Sequence, residues 1–130
     1  KDMKVIVDTS SWIDYFEGNN KGEQIKKYLD GNANEIITNV TSIAEITSFF
    51  SRKKLDYEKA INIISGKSKI FLNDLPFSKD AGVLHSEIKK KISDFGLNDA
   101  LIILTAKKID GKLLTCDFHF KNFKETILIK

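Results

Sequence analysis

Along the chain, short apolar runs alternate with segments whose apolar residues recur every three or four positions. Val5-Ile6-Val7 is a run of β-branched residues closed by Asp8 and small hydroxyl residues. It predicts a buried strand that ends in a helix start, with Ser10 or Ser11 capping a short helix through Glu17. Gly18-Asn19-Asn20 stops that helix, and a second helix is predicted from about Gly22 to Asp30, with Ile25, Tyr28 and Leu29 on one face and Gly31 ending it. Glu35-Ile36-Ile37-Thr38 reads as a second strand. Thr41 or Ser42 opens a third helix to about Lys53, with Ile43, Ile46 and Phe50 at helical spacing.

Asp56 caps a fourth helix through Ile64, Lys69-Ile70-Phe71-Leu72 is a third strand, and Asn73-Asp74-Leu75-Pro76 a turn out of it. Ser78 caps a longer helix that closes in Lys89-Lys90-Lys91. Leu97-Asn98-Asp99 opens a helix that is apolar nearly all round, through Ala100, Leu101, Ile102, Ile103, Leu104 and Ala106, the mark of a buried helix. Gly111 ends it; Lys112-Leu113-Leu114-Thr115 and Thr126-Ile127-Leu128-Ile129 are the last strands. Strands alternating with helices predict an α/β fold, a three-layer α/β/α sandwich around a mainly parallel sheet of about five strands. One domain is expected over residues 3–130, with no repeat, linker or low-complexity segment.

Composition narrows the function classes. The chain is 42% hydrophobic and 30% charged, as in ordinary globular proteins. A net charge of +3 permits a polyanionic partner without demanding one. Arg52 is the only arginine, so bidentate phosphate or base recognition by guanidinium forks is largely closed off within one chain. Cys116 is the only cysteine, which excludes an internal disulfide and a thiolate zinc cluster and fits a reducing compartment. The longest apolar run is Ala100 to Leu104, far short of the roughly 18 residues of a membrane span. No leader is visible, Lys1-Asp2 ahead of Met3 read as a remnant outside the fold, and the expected location is the cytoplasm.

Acids recur where an α/β fold gathers residues at one edge of its sheet. Asp8 follows the first strand and Asp117 the fourth; Glu45 lies early in the helix after the second strand. Asp99 lies in the first turn of the buried helix, whose N-terminus faces the same edge if that helix feeds the fourth strand right-handedly. Ligands bind at that edge in open α/β sheets. Each acid also has a purely structural reading: Asp8 as a helix cap, Glu45 as the partner in a Ser42-x-x-Glu45 capping box, Asp99 as a dipole-compensating residue, Asp117 as a turn former. If the four converge, cations must neutralise their repulsion, and oxygen ligands without thiolates or paired histidines suit Mg²⁺ or Mn²⁺. Such a site can activate water for in-line hydrolysis of a phosphodiester.

Four segments resemble, in order, the acidic motifs of PIN-domain ribonucleases, and most closely the prokaryotic toxins of the VapBC type. They are Val5-Ile6-Val7-Asp8-Thr9-Ser10, Thr41-Ser42-Ile43-Ala44-Glu45-Ile46, Leu97-Asn98-Asp99-Ala100-Leu101-Ile102 and Leu114-Thr115-Cys116-Asp117-Phe118-His119-Phe120. The resemblance spans nearly the whole chain. It implies Mg²⁺- or Mn²⁺-dependent endonucleolytic hydrolysis of single-stranded RNA, a small antitoxin protein that blocks the site, and a homodimer. Asp8, Glu45, Asp99 and Asp117 would be the metal-binding, catalytic acids. Ser10 and Thr115 match hydroxyl positions that orient carboxylates or contact metal or phosphate, and water would attack. Two departures stand out: His119 occupies a position where a further Asp or Asn is common, and lysines stand where the toxins often use arginine.

The remaining candidates read as structure first. His85 is expected as a hydrogen-bonded histidine at the core boundary, Cys116 as a small apolar residue turned away from Asp117. Phe118 and Phe120 are expected to pin the loop that carries Asp117, and Lys89 to Lys91 and Lys107-Lys108 to be solvated helix surface. Two nuclease roles remain, a toxin and a housekeeping RNA-processing enzyme, beside a catalytically weak binding protein of the same fold. A phosphorylation-switched receiver fits poorly, since Asp8 lacks an acidic partner after the first strand.

Overall fold

The computed structural model describes residues 3–130, so Lys1 and Asp2 lie outside the described residues. The elements run β1 (Met3–Val7), α1 (Thr9–Glu17), α2 (Asn20–Leu29), β2 (Asn34–Asn39), α3 (Val40–Arg52), α4 (Tyr57–Lys67), β3 (Lys69–Phe71), α5 (Leu75–Lys89), α6 (Leu97–Lys108), β4 (Lys112–Thr115) and β5 (Thr126–Leu128). A short 3-10 turn, Phe118–Phe120, follows β4. All neighbouring strands pair parallel, in the order β3-β2-β1-β4-β5. The central strand β1 is therefore covered on both faces, and its alternation sorts the core. Val5 and Val7 face one cluster with Leu114 of β4 and with Trp12, Ile25, Ile46 and Ile64, supplied by α1 to α4. Ile6 faces the other, with Leu113, Phe95, Ile102, Ile103 and Phe120, against α5 and α6. Helices thus cover both faces of one parallel sheet, the predicted sandwich.

Several boundaries differ from the sequence reading, each for a local reason. Asn19, expected within a helix stop, caps α2 by accepting from Gly22 N at 2.7 Å. A side chain at Gly22 would place its Cβ 2.1 Å from the Asp14 carbonyl oxygen, so glycine is what lets α1 and α2 approach here. Asn39 rather than Thr41 or Ser42 caps α3, accepting from Thr41 N at 2.9 Å. The Ser42-Glu45 capping box therefore does not form; Ser42 is fully buried inside the helix. Helix α4 runs on to Lys67, past Ser65-Gly66. Asp74 rather than Ser78 caps α5, accepting from Phe77 N at 2.9 Å. The residues read as a turn, Leu75-Pro76, are its first turn, where proline's missing N–H costs nothing.

Candidate functional site

Strands β1 and β4 are neighbours, with Val7 opposite Leu114, so the residues that leave them emerge side by side. Asp8 leaves β1 in extended backbone and caps α1: its Oδ1 accepts from Ser11 N at 3.0 Å and from Ser10 Oγ at 3.2 Å. Its Oδ2 accepts from Thr115 Oγ1, the last residue of β4. The same hydroxyl oxygen accepts from Asp117 N at 3.0 Å, so Thr115 links the two aspartates. Asp8 is only 6% exposed, and burial raises its carboxyl above the ordinary 3.8, against the lowering pull of Thr115, Ser11 and Ser10. The cap reading and the site reading describe the same side chain.

Glu45 lies in α3 and reaches across to two other helix starts. Its Oε1 accepts from Thr9 Oγ1 at 2.6 Å and its Oε2 from Asn98 Nδ2 at 3.1 Å. Asp99, at the start of α6, accepts from Gly96 N through Oδ2 at 2.8 Å. Its carboxyl is also raised, chiefly by burial and then by the negative charges of Asp117 and Glu45, while the Gly96 bond and His119 oppose the shift. Asp117 accepts from His119 N at 2.8 Å. Glu45, Asp99 and Asp117 therefore share one electrostatic neighbourhood, with Asp8 joined to it through Thr115.

His119 is wedged among acids. Its Nε2 lies 2.9 Å from Asp94 Oδ2, and its Nδ1 lies 3.2 Å from Asp117 Oδ1 and 3.9 Å from Asp99 Oδ2. The hydrogen bond to Asp94 raises the imidazole above 6.5, while desolvation opposes it. Nδ1 is buried without an aligned hydrogen-bond partner. Thr9, Asn98 and Asp94 were not singled out in the sequence, although Thr9 and Asn98 lie inside the acidic motifs and Asp94 lies in the segment that breaks α5 from α6. Of the remaining readings, that of His85 holds: its Nε2 pairs with the Phe95 carbonyl at 3.0 Å. Cys116 is half-buried with its thiol pushed up to about 11, chiefly by burial. Phe120 is 1% exposed and packs edge-on against Phe95, whereas Phe118 is 64% exposed and pins nothing.

A model of the PIN domain matches residues 5–125 of this chain. The chain belongs to the PIN-domain family. No curated protein matches it by sequence. Solved structures share the fold of this PIN domain at low identity. A toxin–antitoxin complex from Klebsiella pneumoniae superimposes with a TM-score of 0.73 at 19% identity, covering 95% of each chain. VapBC2 from Rickettsia felis, bound to a DNA fragment from its promoter, gives 0.74 at 22% identity, covering 97% of each chain. VapC20 from Mycobacterium tuberculosis, a sarcin-ricin loop cleaving toxin, gives 0.75 at 14%, covering 97% of this chain and 99% of that one.

The donor chemistry of this PIN domain suits a hard divalent cation. The four acids offer oxygen alone, and Asp99 carries the field of two further carboxylates, which a dication would reverse. As the side chains stand, no three Asp, Glu, His or Cys among the described residues form a ready ion cage. The oxygens instead hold hydroxyl, amide and backbone N–H donors and His119, groups an ion would replace in part.

Proposed function

We propose that this PIN-domain protein is a metal-dependent endoribonuclease that hydrolyses phosphodiester bonds of single-stranded RNA, acting as the toxin of a toxin–antitoxin pair. What supports the reading is the link between two acids that leave neighbouring strands, Thr115 being hydrogen-bonded to both Asp8 and Asp117, with Glu45 and Asp117 adding their charges to the surroundings of Asp99. Family membership over residues 5–125 supports the nuclease class. The toxin role is supported by the fold shared with three proteins described as toxins or toxin–antitoxin complexes. It brings with it a small antitoxin partner and a homodimer.

Asp8, Glu45, Asp99 and Asp117 would hold Mg²⁺ or Mn²⁺, which when bound polarises a phosphoryl oxygen and lowers the pKa of a water. The chain's own donors set the orientation of these acids. Ser10 and Thr115 fix the two oxygens of Asp8, and Thr9 and Asn98 fix those of Glu45. Such positioning matters because a catalytic group displaced by an ångström loses much of its effect. His119 Nδ1 stands 3.9 Å from Asp99 Oδ2 and 3.2 Å from Asp117 Oδ1, where its protonated form would moderate their repulsion.

The test is cleavage of labelled RNAs of mixed sequence in Mn²⁺, Mg²⁺ or EDTA, by the wild type and Asp8→Asn. Metal-dependent cutting that the variant lacks is the expected result. A folded wild type that neither cuts RNA nor binds metal through these acids refutes the nuclease. Growth arrest on expression, relieved by a neighbouring gene product, separates a toxin from a housekeeping enzyme.

A further inference from the structure

We propose that the depression beside Asp117 is a nucleobase subsite, in which Phe118 stacks on an unpaired base of the bound strand; the inference rests on the nuclease reading and adds to it how the strand is held. The depression has a volume of about 460 Å³ and is lined by Ile92, Phe118, Lys121 and Asn122 together with Cys116, Asp117 and His119. That volume is in the usual range of small-ligand sites, about 300–1,000 Å³.

Phe118 is the side chain that needs an explanation. It begins the 3-10 turn that Asp117 caps, and Phe120 in the same turn is buried to 1% while Phe118 is left 64% exposed. The turn thus uses one ring to fix the Asp117 loop and presents the other to solvent, next to a candidate catalytic carboxylate. Lone exposed apolar residues are common and mean little by themselves. Here two further side chains line the same depression unused: among the described residues, neither the Lys121 ammonium nor the Asn122 amide has a hydrogen-bond or ion-pair partner.

These groups match the parts of a nucleotide. A ring face stacks on any base. An amide offers a donor and an acceptor to a base edge, and an ammonium at the rim offers a point charge to a phosphate. The carboxylate of Asp117 in the wall disfavours a phosphate inside the depression and tolerates a neutral heterocycle. A base seated there leaves its backbone at the carboxylate edge, where cleavage is proposed. An unpaired base is required, because a base stacked within a duplex does not expose its face.

The experiment uses short single-stranded RNAs of mixed sequence carrying 2-aminopurine, whose fluorescence is quenched on stacking. Binding is measured in an Asp8→Asn background with Phe118 retained, Phe118→Ala or Phe118→Trp; cleavage is measured with the same changes in the wild-type background. Circular dichroism verifies folding, which an exposed ring leaves intact. Phe118→Ala is expected to weaken RNA binding about ten-fold, within the range for loss of one base–aromatic stack, and to abolish the quench. Phe118→Trp retains both. An abasic nucleotide walked along the strand weakens binding at one position for Phe118 and at none for Phe118→Ala, a pattern that a merely structural ring would not produce. In cleavage, KM rises about as much as affinity falls, with kcat little changed. Equal RNA affinity for Phe118 and Phe118→Ala overturns the subsite, including the case where the change impairs only binding of a protein partner. Stacking without cleavage in any metal overturns the nuclease and leaves the subsite standing. Cleavage with unaltered KM in Phe118→Ala does the reverse.

Discussion

Asp8 holds two positions at once: it caps the N-terminus of α1 and it stands at the carboxylate edge. Asparagine caps helices as well as aspartate does, so Asp8→Asn is expected to keep the fold while abolishing cleavage. Circular dichroism and the cleavage assay together check this. The raised carboxyl of Asp8 also gives stability an unusual pH dependence. A folded-state value above the ordinary 3.8 means that the native protein binds this proton more tightly than the unfolded chain does. The stabilisation it confers is complete below 3.8 and is lost as pH climbs through the raised value, above which the ionised buried group is a net cost. In EDTA, Asp8→Asn should therefore gain on wild type in Tm as pH rises, with the difference vanishing in acid. A difference that grows in acid would contradict the assigned direction.

Helices and strands were largely legible in the sequence, because β-branched runs and three-to-four spacing record burial directly. Their starts were less so. Asn39 and Asp74 outcompeted nearby hydroxyl residues as caps, and which oxygen reaches a free N–H depends on backbone geometry that spacing does not encode. The placement of the four acids was legible for a different reason: Asp8 and Asp117 follow strands, Asp99 lies in the first turn of α6, and Glu45 lies early in α3 after β2. Their partners were not. Thr9 and Asn98 reach Glu45 from segments 36 and 53 residues away, and no local pattern reports that. The exposure of Phe118 was hidden likewise, because Phe118 and Phe120 read as equivalent apolar residues until the turn assigns them to opposite sides. The α1–α2 contact offers an element-scale test. Gly22→Ala forces a Cβ to within 2.1 Å of the Asp14 carbonyl oxygen. Overpacking of this kind costs about 1–3 kcal/mol or more, read as a lower urea midpoint.

For the whole molecule, occupancy of the carboxylate edge should be visible as stability. A ligand that binds only the native state stabilises it by about 2.7 kcal/mol at one hundred times its Kd. Mn²⁺ is accordingly expected to raise Tm with concentration, and Asp99→Asn or Asp117→Asn to blunt the rise; an unmoved wild-type Tm would count against ion binding at these acids. The sheet itself constrains how the protein associates. Its two outer strands, β3 and β5, are three residues each. A strand added to either edge therefore gains only a very short ladder of main-chain hydrogen bonds, too little to anchor a partner or seed stacking of copies. Whatever assembles with this protein must be recognised through the side chains of its helical layers and loops, so partner choice is written in surface residues that can change without disturbing the sheet.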